Sequence, residues 1–421
     1  MLSFGWSWIH RTRILSLVLL TFAVVGPVGT ADARECGGRK VCRCGDHVAQ
    51  NYELVGSLGP CKKHGLTVRG GVTLEGGGHT LRGSRARSSS GVVLDEKSSG
   101  AVVRNLEVTG FERGIRLAGV DGARVENVES HHNGDPVAHK GYGIDVARGA
   151  SNNVIENVYV HHNADEGIHI GNDARNNRVS SSRFEENYRE NVYFLENDGN
   201  SLESSTLRGG GASSVFIKHA RNVRVEGNTI DGRGIQVRGE SSGVKLIGNT
   251  VSGQGLTIQP YNKGPRGKTV PRDITVSGGK ISSSKPCVRL IEARSVRLEG
   301  AGLDCGTSLE LNADSDLTAV NTLLRRVECK GAGVARVEQR VDVRFVDAAG
   351  AAVAGVEVVT SGGQVAGTSG ADGAWKGTLS LETIRCPGPR RAGSSEVTLR
   401  VAAWSRQITA RDLAGDVRVG G

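Results

Sequence analysis

Six of the eleven histidines in this 421-residue chain fall between His131 and His169, and four of the six tyrosines are Tyr142, Tyr188, Tyr193 and Tyr261. Such crowding sets proton donors and acceptors beside one another. The short segments "GIDV" (143–146), "GIHI" (167–170), "NVYF" (191–194) and "SVFI" (214–217) recur through the same stretch. Side chains alternate along an extended strand, so if Ile144 and Val146 turn inward, Asp145 turns outward. Applied to each repeat, this gives one outward column: Arg116, Asp145, His169, Tyr193, Phe216, Gln236 and Thr257. A second column carries Ala147, Gly171, Leu195, Lys218, Arg238 and Gln259. The preceding turns add Lys140, Tyr142, Asp165, Glu166, Tyr188, Arg189 and Glu190. Exposed rings beside His, Asp and Arg read as a sugar-binding groove, whereas a merely solvated face would carry Ser, Thr, Lys and Glu.

The elements that position these residues show in the spacing. Strands led by Gly, Asn or Ser begin at 91, 114, 143, 167, 191, 214, 234 and 255, which is 23, 29, 24, 24, 23, 20 and 21 residues apart. The long interval holds "GDPVAHKGY" (134–142) and predicts an extended turn there. Ahead of each strand lie apolar residues five apart: Val103 and Val108, Ile155 and Val160, Val179 and Phe184, Leu202 and Leu207, Val225 and Ile230, Leu246 and Val251. Short strands, a period of roughly 20–30 residues and no helical pattern predict a right-handed parallel β-helix, each coil burying its apolar face against its neighbours. Asn105, Asn127, Asn157, Asn228 and Asn249 recur near strand ends, as do Asn133, Asn163 and Asn187. Stacked amides would satisfy backbone groups at bends. The triplets at His131–Asn133 and His161–Asn163 fall at one such bend. Their histidines are expected to pack the turn or edge the groove.

The chain ends differ in character. His10, Arg11 and Arg13 precede the apolar "ILSLVLLTFAVVG" (14–26), and "ADA" (31–33) offers small residues for cleavage, as in a secretory leader. No second apolar run follows. A secreted or periplasmic protein without a membrane span is expected. All eight cysteines lie beyond the leader: Cys36, Cys42, Cys44, Cys61, Cys287, Cys305, Cys329 and Cys386. An even count in an exported chain reads as disulfides, with metal binding at "CRC" (42–44) as the competing reading. The spacing suggests two bridges among the first four cysteines, one between Cys287 and Cys305, and one between Cys329 and Cys386. The net charge of +9 favours anionic partners. Without a basic helix or RNA-binding signature, nucleic acid is not expected. An acidic polysaccharide or cell-envelope glycan is, and the protein is expected to be a monomer.

The coils, "NNVIENVYVHHNADEGIHI" above all, resemble the right-handed β-helix superfamily (PbH1 repeat) of pectate-lyase-like enzymes, alginate lyases, mannuronan C5-epimerases and periplasmic NosD-type proteins. Residues 44–83 resemble the strand-rich start of NosD-like proteins, which implies a Cys44–Cys61 staple on a cap. "YGID" (142–145) is similar to the start of the mannuronan C5-epimerase motif Tyr-Gly-x-Asp. That motif continues Asp-Pro-His-Asp, whereas Val146, Ala147 and Arg148 follow here. Only Tyr142 and Asp145 carry over, and His169 on the next coil would replace the motif histidine. From about Arg340 the coil period stops. "VDVRFVDAAGAAVAGVEVVTSGGQVAGTSGADGAWKGTLSL" resembles a carboxypeptidase-regulatory-like or other Ig-like β-sandwich, with Trp375 and Trp404 as core residues. The predicted organisation is a leader (1–33), a disulfide-stapled cap with the first coils (34–85), a β-helix (86–335) and a sandwich (336–421), an all-β fold.

The resemblance implies lysis or epimerisation of a uronic-acid polymer, which removes the weakly acidic proton beside a carboxylate. A cation must neutralise that carboxylate, a base must take the proton, and an acid must protonate the leaving oxygen or the opposite face. Arg116 and Lys140 are the candidate neutralisers, and His169 and Tyr193 the base and acid. Asp145 would orient His169 or hold a cation. Tyr142, Tyr188, Phe216, Lys218, Gln236 and Arg238 would bind the polymer. No cofactor is required, and a Ca²⁺ ion, if one takes part, would sit at Asp145, Asp165 and Glu166. No zinc motif or calcium-binding nonapeptide occurs. The alternatives are a non-catalytic carbohydrate-binding or envelope protein and, less well supported, a glycoside hydrolase using Asp145 with Asp165 or Glu166.

Overall fold

A computed structural model describes residues 34–262, 267–388, 390–392 and 396–420. The expected leader, 1–33, lies outside the described residues. Each coil contributes a strand to a 14-stranded sheet whose order follows the chain from Glu35–Cys36 to Val327–Cys329. Its strands run parallel and in register, so Ile144 lies against Ile168, Ile168 against Val192, and Val192 against Val215. The inward Ile, Val, Leu and Phe of these strands form one continuous core. Stacking at about 4.8 Å per rung turns every sequence repeat into a spatial column.

The rest of each coil makes two further walls. Arg124–His131 pairs through Arg124–Glu126 with Val154–Glu156, and through Glu129–His131 with Tyr159–His161. Between the walls sits one residue in the left-handed region: Asn105, Asn127, Asn157, Ser181 and Ser204, then Gly227 and Gly248. The five-residue apolar spacing is thus one inward residue on each wall with this bend between them. Asn and Gly suit the bend because a larger side chain resists positive φ.

The asparagines divide differently from the expected grouping. Asn105, Asn127 and Asn157 form the bend column, with exposed amides bonded in sequence. Asn228 and Asn249 belong one residue further on, in a buried ladder continuing Ser182 and Ser205. Asn133, Asn163 and Asn187 form another buried ladder, with amides linked at 3.1 and 2.9 Å. The repeated glycine opposite this ladder is required by space. A Cβ on Gly143 would lie 2.3 Å from Val160 Cγ1 and 2.7 Å from Asn163 Nδ2.

Disulfides join Cys36 to Cys42, Cys44 to Cys61, Cys287 to Cys305, and Cys329 to Cys386. Gly333–Val346 is shared by two structures. Its first six residues pair parallel with the last rung, Ser315–Val320, and the strand also pairs antiparallel with Ala374–Cys386. A four-stranded antiparallel sheet completes an Ig-like sandwich around its own core, where Trp375 is buried and Trp404 packs alongside. Among the described residues no helix is long and apolar enough to cross a membrane.

Candidate functional site

The outward column forms as expected, with Arg116 against Asp145, Asp145 against His169, His169 against Tyr193, and Tyr193 against Phe216. Gln236 and Thr257 continue it. At its centre His169 Nδ1 donates to Asp145 Oδ1 at 3.1 Å. The other carboxylate oxygen faces Arg113 Nε at 3.0 Å and Arg116 Nε at 3.9 Å. Burial pulls the Arg116 guanidinium below its usual range, while Asp145 acts against that pull. With its Nδ1 proton held by Asp145, the imidazole keeps Nε2 as an acceptor. Nε2 points over Gly171, where a Cβ would come within 2.8 Å of it. Gly171 is the space the imidazole needs.

Rings flank this pair. Tyr142 stacks on His169 at 4.9 Å between centroids, and Tyr193 tilts against its other side at 5.7 Å. Phe216 stacks on Tyr193 at 5.0 Å, and the Arg238 guanidinium lies 5.6 Å above Phe216. Both tyrosine hydroxyls are held far above the ordinary phenol range, first by burial and then by nearby carboxylates, Glu166 foremost for Tyr142 and Glu190 for Tyr193. At neutral pH they are proton donors.

The structure corrects one expectation here. The column faces outward but is not exposed: His169 is 6%, Tyr193 7% and Phe216 8% accessible. Rings stacked at rung spacing cover one another's faces and leave only edges to solvent.

The extended turn pairs Asp135 with Lys140 and reaches across two rungs, stacking His139 on Tyr188 at 3.7 Å. Tyr188 stacks on this turn, and among the described residues no ring contact joins it to the His169 stack. Lys140 is exposed on this turn, and among the described residues no ion pair ties it to Asp145. Arg113 is the second cation there. Lys218 lies 3.8 Å above the Tyr261 ring. Gln236 is half-buried, in register with Phe216 and Thr257.

Asp165 and Glu166 face Arg189 at 3.4 and 3.5 Å. Among the described residues no group of three or more His, Cys, Asp or Glu is placed to hold a metal. A Ca²⁺ ion at Asp145, Asp165 and Glu166 would have to displace the arginines from them. The paired histidines pack the bend: His131 stacks on His161 and His132 on His162, with the Nε2 atoms of His131 and His161 on Glu107 and Glu129. The larger cavities lie elsewhere. One of about 540 Å³ sits between the last rung and the sandwich, beside Leu323, Leu381 and Arg411.

Two contributors escaped the sequence reading as site residues. Arg113 stands in "RGIRL" three residues before Arg116, the spacing that separates Tyr142 from Asp145 in the next coil, and could have been found from it. Glu190, recognised as a turn residue, shares Arg189 with Asp165 and Glu166.

Residues 90–251 match the family described as "Right handed beta helix region". The fold is a right-handed parallel β-helix. No curated protein matches the chain. Among solved structures, a variant of the periplasmic alginate epimerase AlgG is similar, with 15% identity and a TM-score of 0.50 over 62% of this chain and 70% of that one. The A-module of the Azotobacter vinelandii mannuronan C-5 epimerase AlgE6 has 14% identity and a TM-score of 0.43, over 69% of this β-helix protein and 87% of that one. An alginate lyase from Paenibacillus sp. str. FPU-7 has 18% identity and a TM-score of 0.39, covering 63% and 91%. At 15% identity the likeness to the AlgG variant is one of fold.

Proposed function

We propose that this protein is an exported enzyme that acts on an acidic polysaccharide by removing the proton beside a uronate carboxylate, as a lyase or C5-epimerase does. The observation that carries the reading is the His169 imidazole, bonded through Nδ1 to Asp145 and set between two protonated tyrosines. Asp145 fixes the tautomer and stabilises the imidazolium that forms when Nε2 takes a proton. The tyrosines, held protonated by burial and neighbouring carboxylates, are suited to be acids and not bases. That leaves His169 as the base and Tyr193 or Tyr142 as the acid.

In a lyase, the C5–H bond breaks toward His169. Its electrons form the C4=C5 bond, and the C4–O bond breaks with the leaving oxygen taking the tyrosine proton. In an epimerase the tyrosine proton goes to C5 from the opposite face. The transient charge on the uronate carboxylate needs a cation or donor, for which Arg113 and Arg116 are nearest the base. Phe216, Lys218 and Arg238 continue the column and would hold the polymer's next sugars and carboxylates.

The burial of the column supports a second reading, a non-catalytic glycan-binding protein in which the stack is structural. Incubation with alginate, pectate and glycosaminoglycans separates the two. Ultraviolet absorbance of an unsaturated product indicates lysis, and solvent-proton exchange without absorbance indicates epimerisation. Neither signal on any polymer refutes the enzyme reading. Full activity of His169→Ala refutes the assignment of the base.

A further inference from the structure

The doubled histidines take no part in the groove, yet their geometry repeats on two rungs. His131 Nδ1 lies 2.7 Å from His132 Nδ1, and His161 Nδ1 lies 2.7 Å from His162 Nδ1. In each pair the ring planes cross at 88° with centroids 5.0 Å apart. The second pair stands one rung beyond the first: His161 stacks on His131 at 5.0 Å and His162 on His132 at 5.3 Å. Four Nδ1 atoms are thus gathered at one bend.

Hydrogen bonding decides which of these nitrogens offer lone pairs. His131 Nε2 meets Glu107 Oε1 at 2.8 Å, and His161 Nε2 meets Glu129 Oε1 at 2.9 Å. A carboxylate only accepts, so each Nε2 holds the proton and the Nδ1 of the neutral ring is left as an acceptor. Within the pair it accepts from its neighbour's Nδ1–H. His132 and His162 are exposed, so their rings can carry that proton on Nε2 instead, in contact with solvent. Both Nδ1 atoms of a pair then present lone pairs 2.7 Å apart. A carboxylate on the far nitrogen is the outer partner that ligating histidines keep, because it fixes the tautomer and raises the basicity of the ligating atom. Glu107 is itself held, accepting from Thr80 Oγ1.

We propose that each pair chelates a divalent transition-metal ion through its two Nδ1 atoms, one ion per rung. The spacing selects the ion. With metal–nitrogen bonds of about 2.0–2.1 Å, nitrogens 2.7 Å apart subtend roughly 80° at the metal. That is close to the right angle of a tetragonal site and well short of the tetrahedral angle of zinc. Cu²⁺ and Ni²⁺ take tetragonal sites, and Cu²⁺ binds the tighter. Calcium and magnesium want oxygen donors and gain nothing here. The ion takes the place of the proton between the nitrogens, and that proton passes to Nε2 of His132 or His162. Each pair is two ligands, short of the group of three that is absent among the described residues, so solvent fills the remaining positions. The site is independent of the reading of the groove.

The test titrates the full chain with Cu²⁺, followed by calorimetry and electron paramagnetic resonance. Wild type should take up two ions more than the double variant His132→Asn with His162→Asn, the second more weakly because the ions repel from adjacent rungs. Asparagine suits both positions, since His132 and His162 stand at φ 50° and 52° and asparagine accepts the left-handed region. Each single variant should lose one ion and keep the other. The signal that the double variant lacks should be axial, with hyperfine splitting from two nitrogens. Glu107→Gln and Glu129→Gln leave every histidine in place and should weaken uptake by about 10-fold. Bound Cu²⁺ should raise the unfolding midpoint of wild type more than that of the double variant. Equal uptake by wild type and the double variant overturns the site, as does a signal without nitrogen splitting. A single ion abolished by either single variant overturns the arrangement of one ion per rung. Unchanged affinity in both glutamine variants overturns the part given to the carboxylates.

Discussion

Replacing Asn163 with alanine tests the architecture at the bend that leads into the site. The buried Asn163 amide makes four bonds: Oδ1 accepts from the backbone and side-chain nitrogens of Asn133, each at 3.1 Å, and Nδ2 donates to Ser130 O at 3.1 Å and Asn187 Oδ1 at 2.9 Å. Two of these losses are partly covered. Asn133 Nδ2 still reaches Ser130 Oγ and Val108 O, and Asn187 Oδ1 still accepts from the Asn163 backbone. The Asn133 N–H loses its partner, while the Ser130 carbonyl keeps its place in the strand ladder opposite Val160. At about 1–3 kcal/mol for a buried group left unsatisfied, Asn163→Ala should cost roughly 1–3 kcal/mol. The control is Asn157, the same residue type in the exposed bend column at φ 51°. Asn157→Gly keeps the left-handed conformation and should change stability by less than about 1 kcal/mol. Equilibrium denaturation followed by circular dichroism, with hydrogen exchange at residues 160–167, reads both. A cost below about 1 kcal/mol for Asn163→Ala, or equal costs for the two variants, would refute the view that the buried ladder satisfies the backbone where a rung leaves its wall.

Three further outcomes follow from the site. Gly171→Ala should push the imidazole off Asp145, lowering kcat/KM by about 10²-fold while leaving the unfolding midpoint nearly unchanged; unchanged kinetics would show that Nε2 does not use this space. Asp145→Asn removes the carboxylate that orients His169 and leaves Arg113 and Arg116 without it, so kcat should fall by at least about 10²-fold with secondary structure intact. The Glu166 carboxyl is raised, from its ordinary 4.5 to about 8, so its stabilisation is fully present below the ordinary value and is lost as pH rises through about 8. Glu166→Gln should flatten that loss and be the more stable protein at alkaline pH, as read by denaturation midpoints across the window; equal slopes for the two proteins would contradict the shift.

The coil period made the outward column legible residue by residue, because a strict repeat of strands admits one register and the alternation of side chains does the rest. Arg116, Asp145, His169, Tyr193 and Phe216 stack in the order their spacing implies. Periodicity places Cα atoms and says little about what covers a side chain. The burial of Tyr193 and Phe216 comes from ring-on-ring contact, and the choice of Arg113 over Lys140 beside Asp145 depends on where a nine-residue turn folds. The asparagine columns were confused for a related reason. A one-residue offset separates a left-handed bend from a buried ladder, and both select asparagine.

The strand Gly333–Val346 has a consequence for the solenoid as an object that could grow. A stack of parallel rungs has no intrinsic length, and a bare terminal rung offers unpaired N–H and C=O groups to the next molecule. Here the last rung receives its partner from the same chain. That partner pairs with Ala374–Cys386 in the opposite sense, and Cys329–Cys386 secures the junction. A truncation before Gly333 would expose a template for end-to-end addition, so the shortened protein should polymerise into filaments more readily than the full chain, as light scattering would read.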